Sequence, residues 1–107
     1  MNISLKIDKK SKNKNGEHPL YVRIRNKNYN GKYSETLIHS GVEISDKYFK
    51  NGVLSPKTPN YTDKQRLVNR ILDDLQKIIS ESIEEGLEPN PKYIKKEYRK
   101  IKEFKEL

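Results

Sequence analysis

The chain has 107 residues, none of them cysteine; 32% are hydrophobic, 36% are charged, and the formal net charge is +8. This length fits one domain with a modest core and excludes a multi-domain enzyme, while the missing thiols exclude a disulfide framework and a thiolate metal site. No apolar run approaches the ~20 residues that span a bilayer, and the first residues lack the apolar core of a signal peptide. We therefore expect a cytoplasmic protein without membrane attachment.

Positive charge is concentrated in the first third of the chain. Residues 1–33 carry nine Lys or Arg against two acidic residues, a net charge of +7, whereas residues 34–86 carry seven against nine, a net charge of −2. Residues 87–107 carry seven against four, a net charge of +3. Such segregation indicates a polyanion-binding surface made by the N-terminal strands. The alternative is a solvated, lysine-rich loop.

The first predicted strand is NISLKID, in which Ile3, Leu5 and Ile7 alternate with polar residues. Successive side chains of a strand point to opposite faces, so Lys6 lies on the polar face. A long polar loop, KKSKNKNGEHP, follows this strand. Its cations are Lys9, Lys10, Lys12 and Lys14.

The second predicted strand is LYVRIRN, with Leu20, Val22 and Ile24 facing the core. The outward positions then hold Tyr21, Arg23 and Arg25. An Asn30-Gly31 pair follows and predicts a hairpin turn, because both residues tolerate positive φ. The cations Lys27 and Lys32 flank this turn.

The third predicted strand is YSETLIHS, with Ile38 as its inward residue and Thr36 beside it. This register puts Glu35, Leu37 and His39 on the same face as Arg23. Residues 41–61 are expected to form a connector. In it Ser45 caps a short turn that folds Tyr48 and Phe49 back onto the core.

The apolar period changes from two to about 3.6 in the second half, which predicts a helix over residues 63–85. Its start is marked by a Thr62/Gln65 capping box and its end by Gly86. The apolar stripe consists of Leu67, Val68, Ile71, Leu72, Leu75, Ile78, Ile79 and Ile83. A second helix begins with Asn90 as N-cap and Pro91 at its first position, and its apolar residues are Tyr93, Ile94, Tyr98 and Ile101.

These elements predict an α+β fold: a three-stranded antiparallel sheet packed on one long helix (β-β-β-α), with a C-terminal helical tail. The helix covers one face of the sheet and leaves the other open. A two- or three-stranded sheet can enter the major groove of B-DNA, where Arg contacts guanine edges and Lys neutralises phosphates. The competing explanation is that Arg23 and Arg25 only form cross-strand ion pairs with Asp8 or Glu35.

The order ISLKIDKKSKNKNGEHPLYVRIRNKN...HSGVEISDKYF, with Pro-apolar-Tyr-apolar-Arg-Ile in one strand and Ser-Gly-Val after the third, resembles a known family. It is similar to the N-terminal arm-type DNA-binding domain of tyrosine recombinases, especially Bacteroides-type mobile-element integrases. The resemblance covers residues 2–88. Two departures from the usual family pattern are His39-Ser40 before the glycine and Phe49 in place of Trp; the first leaves the contacts of strand three open, and the second alters packing only.

The resemblance implies that the chain binds double-stranded DNA sequence-specifically at arm sites. It also implies a role in DNA integration and recombination in the bacterial cytoplasm, with other recombinase protomers as partners. It implies an arm-type domain over residues 1–88 and a helical tail or linker over residues 89–107, toward a core-binding domain outside this chain. The DNA-binding candidates are Lys6, Lys9, Lys10, Lys12, Lys14, Tyr21, Arg23, Arg25, Lys27, Lys32 and His39.

No catalytic activity is expected of this chain by itself. The parent enzymes use a tyrosine nucleophile with an Arg and a His-x-x-Arg pair, and neither His18 nor His39 is followed by an arginine three residues later. We also expect no cofactor, no metal and no small-molecule substrate. Two alternatives stay open: an RNA-binding module that stacks bases on Tyr21 and Tyr33, and a protein-interaction domain that uses Ile94, Tyr98 and Ile101 of the second helix.

Overall fold

The computed structural model describes residues 1–27, 30–87 and 90–106, and of residues 104–106 the backbone only. The described elements are five strands and two helices, and the three long strands and two helices confirm the α+β class. They are β1 (Asn2–Ile7), β2 (His18–Lys27), β3 (Tyr33–Ile44), β4 (Phe49–Lys50), β5 (Val53–Leu54), α1 (Tyr61–Glu84) and α2 (Pro91–Glu106).

The main sheet has the strand order β1-β2-β3, with both pairs antiparallel and β2 in the centre. Leu20, Val22 and Ile24 of β2 are fully buried, whereas Tyr21, Arg23 and Arg25 are only half-buried. The alternation in the sequence therefore identified correctly which face of the central strand is core.

The hairpin between β2 and β3 is confirmed, but its connection is longer than a two-residue turn. Lys27 pairs with Tyr33, so five residues of sequence separate the last paired positions of the two strands. Gly31 has a φ of 79°, the left-handed conformation that glycine adopts without steric cost.

Strand β3 continues four residues beyond the predicted end at Ser40, so that boundary was wrong. The register shifts between Leu20 and Tyr21, which pair with Val42 and His39, respectively. Ser40 and Gly41 form a bulge at the shift, where Gly41 has a φ of 78°. The buried Ser40 hydroxyl donates to the Leu20 carbonyl oxygen (2.6 Å) and accepts from the Val42 amide (3.1 Å), so one side chain satisfies backbone groups on both strands.

The predicted connector contains structure of its own: a 3-10 turn over Asp46–Tyr48 and the β4–β5 hairpin. Ser45 precedes the turn as expected, but its side chain makes no capping hydrogen bond. Tyr48 and Phe49 pack against the buried Leu20, Val42 and Ile44 cluster, as predicted.

Helix α1 ends as the sequence predicts but begins differently. Gly86 has a φ of 76°, its amide donates to the Ile83 carbonyl and the Leu87 amide donates to the Ser82 carbonyl, which is a Schellman motif. The capping-box prediction was wrong: Asn60 is the N-cap, and Thr62 and Gln65 lie inside the helix, where the Gln65 side chain donates to Asn69.

Helix α2 begins as predicted and packs on the same face of the sheet as α1. The Asn90 side-chain oxygen accepts from the Lys92 amide at 2.9 Å and from the Tyr93 amide at 3.4 Å, and Pro91 follows at the first helical position. Ile94 is fully buried and Tyr98 is 9% exposed, and both belong to the cluster formed by Val22, Ile24 and the α1 stripe. Both helices thus cover one face of the sheet.

Candidate nucleic-acid interface

The face of the sheet opposite the helices presents side chains in rows across the three strands. The row nearest the β1–β2 loop is Lys6–Tyr21–His39, the next is Ser4–Arg23–Leu37, and the third is Asn2–Arg25–Glu35. Lys27 and Tyr33 close the face at the hairpin end. These positions form what we call the open face. The predicted placement of Glu35, Leu37 and His39 beside Arg23 is confirmed by this register.

Arg23 lies at the centre of the open face and has partners on both neighbouring strands. Its Nε donates to the Ser4 hydroxyl at 3.2 Å and lies 3.8 Å from the Glu35 carboxylate. The side chains of Arg23 and Glu35 are 33% and 40% exposed. An ion pair this exposed contributes about 0 to 1 kcal/mol. It therefore orients the Arg23 side chain only weakly, and breaking the pair costs little free energy.

Arg25 is held by an aromatic ring. Its guanidinium carbon lies 3.9 Å from the centroid of the Tyr33 ring, which is cation–π geometry. The Nε of Arg25 is buried and has no hydrogen-bond partner in the described part of the chain, so the side chain is positioned by packing rather than through this atom. The Lys27 ammonium lies 5.7 Å from the same ring.

Tyr21 and His39 meet edge to face, with ring centroids 5.1 Å apart and an interplanar angle of 78°. The Gly41 amide donates to Nδ1 of His39 at 2.9 Å. Since Nδ1 accepts this bond, the neutral ring carries its proton on Nε2. The bulge thereby holds the Nε2–H group of the neutral His39 ring as a hydrogen-bond donor at the end of the first row.

Hydrogen bonds of the Asn13 side chain hold the lysine-rich loop in one conformation. The Asn13 side-chain oxygen accepts from the amides of Asn15 and Glu17, both at 2.9 Å, and its amide group donates to the carboxylates of Glu17 and Glu43. The Asn13 hydrogen bond and the Lys64 ammonium, 3.3 Å from Glu17, lower the pKa of that carboxyl despite its partial burial. Asp8 accepts from the Lys10 amide and the Ser11 hydroxyl, so it belongs to the loop and is not bound to the arginines.

The predicted site residues are only partly clustered. Lys9 and Lys10 line a depression of about 550 Å³ together with Lys6, Tyr21 and Leu37, which joins the start of the loop to the open face. Lys9 also pairs with Asp46 at 3.3 Å. Lys12 and Lys14 are exposed farther along the loop, and Lys27 and Lys32 lie at the opposite, hairpin end of the face.

Three residues that contact the arginines of the open face were not among the DNA-binding candidates named from the sequence. Ser4 and Glu35 contact the Arg23 side chain, and the Tyr33 ring packs against the Arg25 guanidinium. The alternation of side chains along β3 already placed Glu35 on the same face as Arg23. The hypothesis of a cross-strand ion pair had also named Glu35 as a partner of the arginines. The alternation along β3 also places Tyr33 on this face, but its contact with Arg25 depends on the hairpin register: Tyr33 lies opposite Lys27 and reaches Arg25 diagonally on the neighbouring strand.

A small sheet with one face covered by helices and a basic opposite face is an arrangement typical of domains that contact nucleic acid through their strands. The model of the Arm DNA-binding domain family matches residues 5–95. The chain therefore belongs to this family, the N-terminal arm-type DNA-binding domains of tyrosine recombinases and integrases, and it is a DNA-binding domain. Neither a curated protein nor a solved structure gives a significant match. In the part of the chain that the structure describes, no helix is long and apolar enough to cross a membrane.

Proposed function

We propose that this domain binds duplex DNA sequence-specifically through its open face, as the arm-site-binding module of a tyrosine recombinase, and has no catalytic activity of its own. The sheet enters the major groove, and Arg23 and Arg25 read base edges from the central strand. Lys6, Lys9, Lys10, Lys12, Lys14, Lys27 and Lys32 neutralise phosphates, and Tyr21 and His39 add polar contacts.

The observation that carries this proposal is the pair of oriented arginines that the central strand presents on the open face of the sheet. Strands lie ~4.8 Å apart, so three strands span about 10 Å between the two outer ones, which fits a major groove ~12 Å wide. Ser4 holds Arg23 through its Nε, and the Tyr33 ring holds Arg25. Pre-positioned guanidinium groups lose less side-chain entropy when they bind a base edge.

The arrangement favours duplex DNA over single-stranded RNA. Single strands are bound by stacking bases on exposed aromatic rings. Tyr33 is 55% exposed but has Arg25 against its ring, and the Tyr21 ring meets that of His39. The arginines, rather than free aromatic platforms, dominate the face.

The protein-interaction alternative depends on a surface that the fold uses internally. Ile94 and Tyr98 are buried against the sheet and α1, and Ile101 packs against the same cluster. The division into residues 1–88 and a tail toward a core-binding domain remains a proposal. Because α2 contributes to the core, experiments should use the whole chain.

The test begins with selection of a preferred duplex from a random library, followed by fluorescence anisotropy on that duplex and on a scrambled one. Arg23→Ala and Arg25→Ala should each cost about 1 to 3 kcal/mol on the preferred duplex and less on the scrambled one. Lys10→Ala or Lys12→Ala should weaken both equally and reduce the salt slope by about 1.

Arg66→Ala provides the matched control, because Arg66 is an exposed arginine on α1, away from the open face. It removes the same charge and should leave the preference between the two duplexes unchanged. Equal losses on both duplexes for Arg23→Ala and Arg25→Ala would remove base reading from the proposal, and failure of the wild type to select any duplex would refute sequence specificity.

A further inference from the structure

Helix α2 carries a strongly basic outer surface opposite its apolar face. Five of its cations line one groove of about 430 Å³: Lys92, Lys95, Lys96, Arg99 and Lys100. Thr36 of β3 forms part of the groove wall, and Glu103 is the acidic residue among its lining side chains. The groove therefore lies between α2 and the outer edge of the sheet.

Solubility alone does not account for this charge. Over its 24 residues α1 has four cations and five acidic residues, whereas the 16 residues of α2 have seven cations and three acidic residues. Both helices expose a polar face to solvent, yet only α2 has a large excess of one sign. Lys100 pairs with Glu97 at 3.1 Å, which leaves a net excess of cations on this surface. Such an excess costs repulsion and is typical of a surface that binds a polyanion.

Two depressions beside α2 lie along β3, and the second of them includes a residue of the open face. The second depression, of about 230 Å³, lies at this edge of the sheet, next to His39 and Ser40 of β3. Its charged lining residues are Arg70 and Asp74 of α1 and Lys102 of α2. His39 also ends the first row of the open face. Thr36 and His39 are three residues apart, ~10 Å along the strand. The two depressions thus follow one strand edge.

We propose that the basic groove of α2 contacts the phosphate backbone of the same duplex whose major groove receives the open face. This inference rests on the proposed function. A sheet about 10 Å wide fills a groove ~12 Å wide, so its outer strands face the two phosphate walls. Strand β3 is one of these outer strands, and the α2 cations lie beside it. They contribute affinity without sequence preference.

The test measures the salt dependence of binding for Lys96→Ala/Arg99→Ala, in which both replaced residues are exposed. The slope of log K against log salt should fall by about 2 on the preferred and the scrambled duplex alike, with the preference between them unchanged. The matched control is Arg66→Ala/Lys77→Ala, two exposed cations on one face of α1, which should leave the slope as in the wild type. The conservative variant Lys96→Arg/Arg99→Lys should retain the wild-type slope, and thermal melts verify that all variants fold.

If Lys96→Ala/Arg99→Ala keeps the wild-type salt slope while Arg23→Ala and Arg25→Ala still bind the preferred duplex more weakly, this inference is overturned. The proposed function is then intact. Energy transfer between two differently labelled duplexes mixed with the domain should be absent. If it occurs and depends on Lys96 and Arg99, the groove holds a second duplex and the inference is overturned. A wild type that binds no duplex would overturn both.

Discussion

Replacing Glu35 with glutamine should strengthen DNA binding. Glu35 is the acidic side chain nearest to Arg23 on the open face, with its carboxylate 3.8 Å from Arg23 Nε. In the proposed complex Arg23 turns from this carboxylate toward a base edge, so the ion pair is lost when DNA binds. The carboxylate also repels approaching phosphates. Glutamine keeps the size of the side chain and removes both penalties.

The size of the effect follows from the geometry. Two unit charges 3.8 Å apart attract by about 1 kcal/mol in water, and the partial exposure of both side chains keeps the pair within the range of surface ion pairs. Loss of the ion pair therefore contributes at most about 1 kcal/mol to the gain, or roughly fivefold in Kd, and relief of the phosphate repulsion adds to it. Folding stability should fall by no more than the same amount.

Anisotropy titrations of the wild type, Glu35→Gln, Arg23→Ala and the double variant give the coupling between the two residues. In the Arg23→Ala background, Glu35→Gln should gain less, because only the repulsion of phosphates remains to be relieved. Weaker binding by Glu35→Gln, with loss of preference at one base pair, would refute this reasoning and identify Glu35 as a reader of a cytosine amino group.

Two further predictions concern the elements that position the open face. Ser40→Ala removes the hydroxyl that bonds Leu20 and Val42 at the bulge, so the free energy of unfolding in urea should fall by about 1 to 3 kcal/mol; an unchanged value would show that these bonds do not hold the bulge. The folded pKa of Glu17 is lowered, so its stabilisation is present above the ordinary value of 4.5 and is lost as pH falls through the folded pKa. Wild-type stability should therefore decline more steeply in acid than that of Glu17→Gln, and parallel pH profiles would contradict this assignment.

Local patterns in the sequence predicted the sheet and helices well because those features depend on near neighbours. Alternation in β1 and β2 identified the core face, Gly86 the end of α1, and Asn90-Pro91 the start of α2. The Ser40-Gly41 pair looked like the end of a strand because glycine usually interrupts one. The Ser40 hydroxyl instead bonds β2 and β3 together, and the strand continues to Ile44.

The sequence by itself determined that Tyr21, Arg23 and Arg25 share a polar face and that positive charge concentrates near the N-terminus, because parity and composition are properties of the chain. The tertiary structure alone decided how these groups are held. Tyr33 reaches Arg25, Ser4 reaches Arg23, and Ile94 and Tyr98 bring the cations of α2 to the edge of β3. These contacts join residues distant in the chain, so their positions depend on strand register and helix docking rather than on local preference.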